Sequence, residues 1–272
     1  MPHRSFHLRI WCVLIALGCL QMIADPAFAE WYLAGYGGYS FPQNLSNVSM
    51  NNLGERLAMQ QFPQAGAPTD IQGRGVLVQS FNTSDLSLKS SPMFGAKLGY
   101  FFNDLQLPWL GVEFETFTST PTIKSQTVST TQNVTYVPNT PATPTDCATG
   151  LFLNCPASVT NTGTLSLQES RMHLVVAAFN VIARYPGKTY QPYIGVGAGA
   201  FYFTSSSGSF QGNQWTPGLN IQAGLKAFLT EEWGLFGEGK YNYASLNNFD
   251  SSFGLSGNYN AFNLVGGIAY RF

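Results

Sequence analysis

The sequence predicts an all-β fold, an eight-stranded antiparallel up-and-down barrel that crosses a membrane with its strands. Eight segments of the 272-residue chain alternate in hydropathy with a period of two, which is typical of strands with two unlike faces. Within these segments every charged side chain falls on the face that also carries glycine and alanine. The connections between the segments are alternately short and long, as they are in transmembrane barrels.

The composition excludes several classes of protein. Charged residues make up 10% of the chain, well below the ~25% that is usual in soluble domains. With 13 basic and 14 acidic residues, the chain offers no basic surface for a nucleic acid. The longest apolar run extends only from Ile10 to Leu20, short of the ~18 residues that a transmembrane helix needs. We therefore expect no nucleic-acid partner and no membrane-spanning helix.

Residues 1–29 have the pattern of a signal peptide for export. Basic residues precede the apolar run and small residues form a cleavage site after it: Arg4, Arg9, Ala27 and Ala29. Removal of this segment would leave residues 30–272 as a single barrel domain. The alternative is cleavage before Cys19 with lipid attachment, but the leucine of that motif lies one position too late.

Two cysteines, Cys147 and Cys155, remain after residue 29, and both lie in one polar stretch. An exported protein meets an oxidising compartment, so a pair this close in sequence is expected to close a small loop as a disulfide. The alternative is two free thiols. A zinc site is disfavoured because His173 is the only histidine after residue 29 and no second cysteine pair exists. No metal or cofactor is predicted.

The first four predicted strands cover residues 31–39, 94–102, 110–116 and 172–185. On one face, aromatic and aliphatic residues recur at every second position, as Trp31, Leu33 and Tyr39 do in the first strand. The alternate face carries small and polar residues. The charged residues on that face are Lys97, Glu113, Glu115 and Arg184.

The last four predicted strands cover residues 194–202, 220–229, 235–243 and 262–272. The alternation is clearest in the fifth strand, where Gly195, Gly197 and Gly199 separate aliphatic residues. The charged residues again share the face of the small residues, and they are Lys226, Glu238, Lys240 and Arg271.

The distribution of charge decides which face is inside. A soluble barrel of the lipocalin or streptavidin type, the alternative, would turn its apolar face inward and its charges outward. Here the charged face is too rich in glycine and alanine for a solvated exterior, whereas a narrow barrel needs small inward residues. Strands of about ten residues suit a tilted membrane crossing, and a closed barrel leaves no unpaired backbone edge in lipid. We therefore predict charges inside and apolar residues against lipid.

The connections predict the orientation of the barrel. Short turns cover residues 103–108, 186–191 and 230–232, and long connections cover residues 42–91, 119–168, 204–215 and 244–258. Outer-membrane barrels have short periplasmic turns and long external loops, so both chain ends are expected on the periplasmic side.

The two longest loops carry further signals. In the first, Leu53, Leu57 and Phe62 are spaced for a short helix over Asn52 to Phe62, although Gly54 weakens it. The flanks of the second alternate weakly. We expect the third and fourth strands to continue outward there as a ribbon that ends at the disulfide.

Three stretches carry a resemblance to a known family. They are Trp31-Tyr32 with the glycine-rich alternation after it, the run Tyr-Ile-Gly-Val-Gly-Ala-Gly at 193–199, and the final Gly-Gly-Ile-Ala-Tyr-Arg-Phe. Over nearly all of residues 30–272 the chain resembles the eight-stranded outer-membrane barrels of the opacity and outer-membrane-protein-A type. Its first two external loops are larger than is usual there.

The resemblance implies a place in the bacterial outer membrane, with lipids and lipopolysaccharide as partners. A terminal Phe preceded by apolar residues at every second position is similar to the signal that the barrel-assembly machinery reads in this family. The matching residues are Leu264, Ile268, Tyr270 and Phe272.

Two enzyme lineages, a lipid A palmitoyltransferase and a lipid A deacylase, also resemble this fold, and both need a histidine and a serine at the outer rim. His173 is the only candidate histidine, with Ser170 and Glu169 nearby. By parity His173 faces lipid, so no catalytic residue is predicted. A lipid-modifying enzyme is therefore the least favoured alternative.

The remaining functions are a structural or adhesin-like surface protein and a narrow small-solute pore. Hairpin geometry predicts Lys97 beside Glu113 and Glu115, and Lys226 beside Glu238. Eight strands leave an interior just wide enough for side chains, and buried charges this close should pair. We therefore expect a plugged lumen in a monomeric barrel whose external loops contact an extracellular macromolecule or a host surface.

Overall fold

The computed structural model describes residues 30–61, 75–139 and 157–272. The predicted signal peptide, with Ala27 and Ala29, and the predicted disulfide partners Cys147 and Cys155 lie outside the described residues. Across the three described stretches, no helix is long and apolar enough to cross a membrane.

Strands dominate the structure. In chain order the elements are β1 (Glu30–Pro42), β2 (Ser46–Met50), α1 (Asn51–Gln61), β3 (Gly75–Thr83), β4 (Leu88–Lys89), β5 (Ser91–Phe102), β6 (Leu107–Ser119), β7 (Thr122–Ile123), β8 (Gln126–Pro138), β9 (Ala157–Leu167), β10 (Ser170–Arg184), β11 (Tyr190–Ser205), β12 (Gly212–Phe228), β13 (Trp233–Leu246) and β14 (Leu255–Arg271).

Eight of these strands form a closed antiparallel barrel in the order β1-β5-β6-β10-β11-β12-β13-β14. Closure comes from β14, which pairs with β1 from Tyr32 opposite Arg271 to Pro42 opposite Ala261. The Trp31 N–H donates to the Phe272 carbonyl at 3.3 Å, which extends this seam to the periplasmic end. The predicted eight-stranded barrel is confirmed, and every predicted strand has its counterpart.

The two faces of the barrel strands separate as the alternation predicts. On the outer face, Phe179 is 70% exposed and Ile194 is 64% exposed, whereas Lys97 on the inner face is 2% exposed. Aromatic pairs lie on the outer face near both ends of the barrel: Trp233 and Tyr270 have ring centroids 4.8 Å apart, and Tyr202 and Trp215 have theirs 4.7 Å apart. Such pairs are typical of the aromatic girdles at the two membrane interfaces.

The first two long loops fold into an additional layer, which we call the external sheet, made of β2, β3, β8 and β9. It is attached to the barrel where Leu255 of β14 pairs with Met50 of β2. From there β2 pairs with β3, β3 with β8 along its whole length, and β8 with β9. The pairing therefore joins loops that are far apart in sequence.

The expected ribbon above the third and fourth barrel strands is present in the structure. Strands β8 and β9 continue the β6–β10 pair in a single antiparallel register: Ser119 lies opposite Leu174, Ile123 opposite Ser170 and Gln126 opposite Leu167. The ladder has only a local break between β6 and β8. Pro121, which has no N–H to give to a ladder, follows the end of β6, and the short β7 then pairs with β4 and β10. Beyond this break, β3 joins the ribbon as a third strand.

The predicted short helix corresponds to α1, which lies on the external sheet. Leu53 and Leu57 pack against the apolar core, and Ala58 packs with Leu77 and Tyr136 in a second small cluster. Gly54 allows the close approach, because a Cβ there would lie 2.6 Å from the Cβ of Phe81. The glycine that weakens the helix signal is thus required by packing.

Candidate functional site

The inner face of the barrel carries the eight charged residues singled out from the sequence. Six of them are buried in the lumen: Lys97, Glu113, Glu115, Lys226, Glu238 and Lys240. Arg184 and Arg271 lie at the periplasmic end, where Arg184 is buried and the side chain of Arg271 is 25% exposed.

Lys97 is the centre of the lumen. Its Nζ lies 2.6 Å from Oε2 of Glu238, 3.5 Å from Oε1 of Glu113 and 3.6 Å from Oε1 of Glu115. These carboxylates belong to β6, next to β5 in the barrel, and to β13, on the opposite wall. One ammonium therefore joins two walls, and Lys240 forms a second ion pair with Glu115.

Three tyrosines complete the carboxylate shell. Tyr32 donates to Glu113 and Tyr36 to Glu115 at 2.5 Å each, and Tyr193 donates to Glu238 at 2.6 Å. Glycines on the neighbouring strands make room for the rings: a Cβ at Gly99 would lie 2.2 Å from Cε1 of Tyr32. The inner glycines of the sequence pattern therefore accommodate tyrosine rings in the lumen.

Amide side chains extend the network toward the external end. Asn180 and Gln222 donate to Glu113 at 3.1 and 2.7 Å, and Asn220 donates to Glu115 at 3.0 Å. Asn263 donates to Asn242 at 2.7 Å, and Asn242 donates to Asn220 at 3.0 Å. The network predicted from the sequence did not include these amides and tyrosines. Their shared parity with the charges is the signal that identifies them.

The predicted pairing of Lys226 with Glu238 is wrong. In the register, Glu238 lies opposite Gly224 and Lys226 opposite Phe236, and the Glu238 carboxylate turns to Lys97 and Tyr193. No carboxylate of the described residues forms a salt bridge with Lys226. Its Nζ lies instead 3.3 Å from the ring centroid of Tyr32 and 5.2 Å from that of Tyr193, which is a cation–π arrangement.

The two ends of the lumen differ. At the external end, buried apolar side chains form what we call the outer core: Leu45, Met50, Leu86, Met93, Ile123, Met172, Leu174, Phe203, Phe210, Phe249 and Tyr259. At the periplasmic end a cavity of about 670 Å³ is lined by Glu30, Asn103, Lys188 and Arg271 among others. Arg184 holds Glu30 there with a forked hydrogen bond, one arm of which is 2.5 Å long.

The structure does not bring the candidate catalytic residues together. His173 is exposed on the outer face of β10, whereas the Ser170 hydroxyl is buried and accepts from the Phe210 N–H at 3.1 Å. Glu169 pairs with Lys89. Within the described part of the chain, no group of three or more His, Cys, Asp or Glu side chains is placed to hold a metal ion.

The residues of the predicted assembly signal lie along the periplasmic half of β14 and just after it. Leu264 and Ile268 are exposed on the outer face, at 52% and 53%. Tyr270 stacks on Phe272, with ring centroids 6.0 Å apart. The four residues thus share one face of the last strand.

On the external sheet, a cleft of about 460 Å³ lies between α1 and the outermost strand β9. It is lined by Leu53, Leu57 and Gln60 of α1, Phe81 of β3, Thr130 and Gln132 of β8, and residues 161–165 of β9. None of these residues is charged. The cleft is therefore an uncharged site with apolar walls, outside the barrel.

A family model and several solved structures are similar to this chain. The family model of the outer membrane protein beta-barrel domain matches residues 57–272. No curated protein gives a significant match. Among solved structures, Neisserial surface protein A is 12% identical with a TM-score of 0.42, covering 90% of this chain and 100% of its own. The outer membrane protein OprG from Pseudomonas aeruginosa is 15% identical with a TM-score of 0.41, covering 90% and 96%.

The family match covers most of the chain and includes all the barrel strands after β1. It agrees with the closed eight-stranded barrel, its apolar outer face and its polar lumen. The chain belongs to the family of outer membrane protein beta-barrel domains, and its place is the bacterial outer membrane.

Proposed function

We propose that this protein binds an extracellular macromolecule through its external loops, and that the barrel is a membrane anchor whose lumen is closed to solutes. The observation that favours an anchor over a pore, and so carries the proposal, is the position of Lys97 in the lumen. Its ammonium has three carboxylates within 3.6 Å. A solute path would have to separate this ion from Glu113, Glu115 or Glu238.

The energetics support a closed lumen. An eight-stranded barrel leaves an interior just wide enough for its own side chains. Removing one partner from a buried ion pair costs about 3–5 kcal/mol, because the remaining charge is uncompensated. The outer core adds an apolar layer above the network. A solute that enters from either side therefore meets either apolar packing or paired charges.

The external sheet supports a binding role. Strands β8 and β9 expose hydroxyl and amide side chains and no charged ones, as in the contact between Thr135 and Ser158. Such a surface offers many hydrogen-bonding groups without electrostatic steering, which suits a neutral partner. Loops that only shield the outer surface are the structural alternative.

A narrow small-solute pore is the second candidate, and the periplasmic cavity of about 670 Å³ is the observation that favours it. The cavity is lined by Gln191, which lies opposite Lys226 in the register, so it reaches toward the lower end of the network. A pore would need Lys226 and the tyrosines around it to move aside.

We also propose that the protein has no lipid-modifying activity. Lipid and lipopolysaccharide would only surround its barrel and would not be its substrates. The positions of Ser170 and His173 on opposite faces of β10 support this. An acyl-transfer site needs the serine and the histidine close enough to act on the same ester bond of the substrate. A monomer is sufficient for these roles.

Export and assembly complete the proposal. We infer that residues 1–29 direct export, that cleavage follows Ala29, and that Cys147 and Cys155 form a disulfide. Phe272 and the outer-face residues before it would guide insertion by the barrel-assembly machinery. Deleting Phe272 should lower the amount of assembled protein in cells and leave refolding in detergent unchanged, and normal assembly would contradict this role.

The binding proposal is tested with a variant in which short turns replace residues 43–90 and 121–166. Its barrel is checked by the shift in gel mobility between boiled and unboiled samples. The two proteins are compared for adhesion to cultured cells and to immobilised matrix proteins. The proposal predicts binding by the wild type and its loss in the variant. Binding by neither protein would leave only the structural role, and equal binding by both would contradict binding through these two loops.

A further inference from the structure

We propose that β9 and the adjacent cleft bind an extended, uncharged peptide segment of the partner protein, which adds to the external sheet as a further strand. The inference rests on the proposed binding function and names its site and the kind of partner. Four features of the described residues support it: a free strand edge, the absence of protection along that edge, an open cleft beside it, and a glycine that faces the cleft.

The first feature is the edge of the external sheet. The sheet begins at the barrel with β14 and ends at β9, and among the described residues β9 pairs only with β8. An unpaired edge presents a row of N–H and C=O groups that another extended backbone can satisfy. The edge is eleven residues long, from Ala157 to Leu167, which is long enough for a full strand partner.

The second feature is the absence of protection. Edge strands commonly carry lysine, proline or a bulge that prevents pairing with another chain. The β9 sequence ASVTNTGTLSL has no charged residue and no proline, and its pairing with β8 is regular from Gln126–Leu167 to Tyr136–Ala157. The lack of charge also indicates an uncharged partner, since a charged segment would find no counter-charge here.

The third feature is the cleft beside this edge. Its wall is formed by Leu53 and Leu57 of α1, and Leu165 contributes to it from β9. Thr130 and Gln132 of β8 lie opposite Gly163 and Asn161, so the cleft lies on one face of the sheet, under the helix. A partner strand beside β9 would therefore project every second side chain on this face toward the cleft.

Gly163 indicates which kind of side chain the partner strand should place toward the cleft. A Cβ at this position would have only Oγ1 of Thr130 nearby, at 3.6 Å, so the fold itself does not require a glycine. Glycine inside a strand weakens it and often marks close approach by another group. A large side chain opposite an edge glycine covers it, and aromatic residues do so best. The segment is thus expected to place an aromatic residue opposite Gly163.

The test uses a library of displayed random peptides selected against the wild-type protein in detergent micelles. Selected peptides are then measured against Gly163→Leu, which fills the cleft, and against Thr131→Leu, which places the same side chain on the exposed opposite face of the same sheet. Both variants are checked for barrel folding by gel mobility. We expect uncharged peptides with an aromatic residue to be enriched, to lose at least about tenfold in affinity for Gly163→Leu, and to bind Thr131→Leu as they bind wild type.

Three results would overturn the inference. They are the absence of any enriched peptide, equal binding to the two variants, and enrichment of charged peptides. A wild-type dimer that Gly163→Leu converts to a monomer would also overturn it, because the occupant would then be a second copy of this chain. If the loop-replaced protein loses cell binding but Gly163→Leu retains it, the proposed binding function stands and this site is wrong.

Discussion

The lumen and the outer core are two interiors of opposite chemistry built on the same strands. In β14, the inward residues at the external end include Tyr259 and Leu255, whereas further along the same face lies Asn263, which belongs to the amide network. The outward residues change in the opposite direction, from polar at the external end to apolar in the membrane. Asn258 and Asn260 precede Phe262, Leu264 and Ile268.

This difference shows that the surroundings decide which face of a strand is apolar. Where lipid surrounds the barrel, polar groups can only be satisfied inside, and the lumen collects them. Above the membrane, water surrounds the strands, so apolar side chains turn inward and form a conventional core. The strand keeps its period of two while the apolar residues move from one face to the other.

The largest expected effect tests the polar interior. Replacing Lys97 with methionine leaves Glu113, Glu115 and Glu238 without their shared cation, so we expect a loss of about 3–5 kcal/mol in the free energy of unfolding. Lys226→Met is the matched control. It removes cation–π contacts and a longer-range attraction to Glu113, but no salt bridge, and should cost about 0.5–2 kcal/mol. Urea unfolding of both variants in lipid vesicles measures the difference, and equal losses would contradict the central role of Lys97.

The next effect tests where, along one strand, the surroundings of the outer face change from lipid to water. Ile221 and Asn213 lie on the outer face of β12, and the girdle residue Trp215 separates their positions. Arginine at Ile221, in lipid, should cost about 2–4 kcal/mol, and arginine at Asn213, above the girdle, at most about 1 kcal/mol. The same unfolding titration applies. Similar costs at the two positions would mean that the membrane boundary is misplaced.

A smaller, local effect separates the external sheet from the barrel. In Gly54→Val the added carbons would collide with Phe81, and such overpacking typically costs about 1–3 kcal/mol. Because the helix contacts the sheet and not the lumen, α1 should be lost before the barrel unfolds. Limited proteolysis should cut residues 51–61 faster, while the gel mobility of the unboiled barrel stays unchanged. Unfolding of the barrel together with α1 would show that the two parts are one cooperative unit.

The smallest effect concerns the predicted disulfide. Mass mapping without reduction should find one peptide pair linked through Cys147 and Cys155. Replacing both with serine should increase proteolysis within residues 119–168 and leave barrel stability unchanged, because the loop lies outside the barrel. Failure of the double variant to fold would instead assign the bridge a structural role in the barrel.

The barrel could be predicted from the sequence because its pattern is local. A period of two identifies each strand, and short turns such as residues 230–232 fix which strands are neighbours. The charged lumen residues follow from parity alone. The partner of Lys226 could not be found in this way, because adjacency along the sheet does not tell whether Glu238 reaches across the lumen to Lys97.

Apart from the β8–β9 ribbon, the external sheet could not be predicted, for a related reason. It depends on pairing between two separate loops, as where Val76 lies opposite Val137, and on distant pairing within the first loop, as where Ser49 lies opposite Asn82. Short strands rich in serine, threonine and asparagine alternate too weakly to reveal such partners. The helix α1 was predictable because Leu53 and Leu57 recur at helical spacing, although its packing on β3 was not.

Planar-bilayer recording of the wild-type protein is the sharpest test of the closed lumen, because a lumen closed by the Lys97 network and the outer core cannot carry a steady ion current. Folded protein, verified by its unboiled gel mobility, is inserted into the bilayer and compared with Lys97→Met. We expect no steady conductance from the wild type, with openings confined to the variant. Large, steady conductance from wild-type protein would contradict the closed lumen and establish the pore.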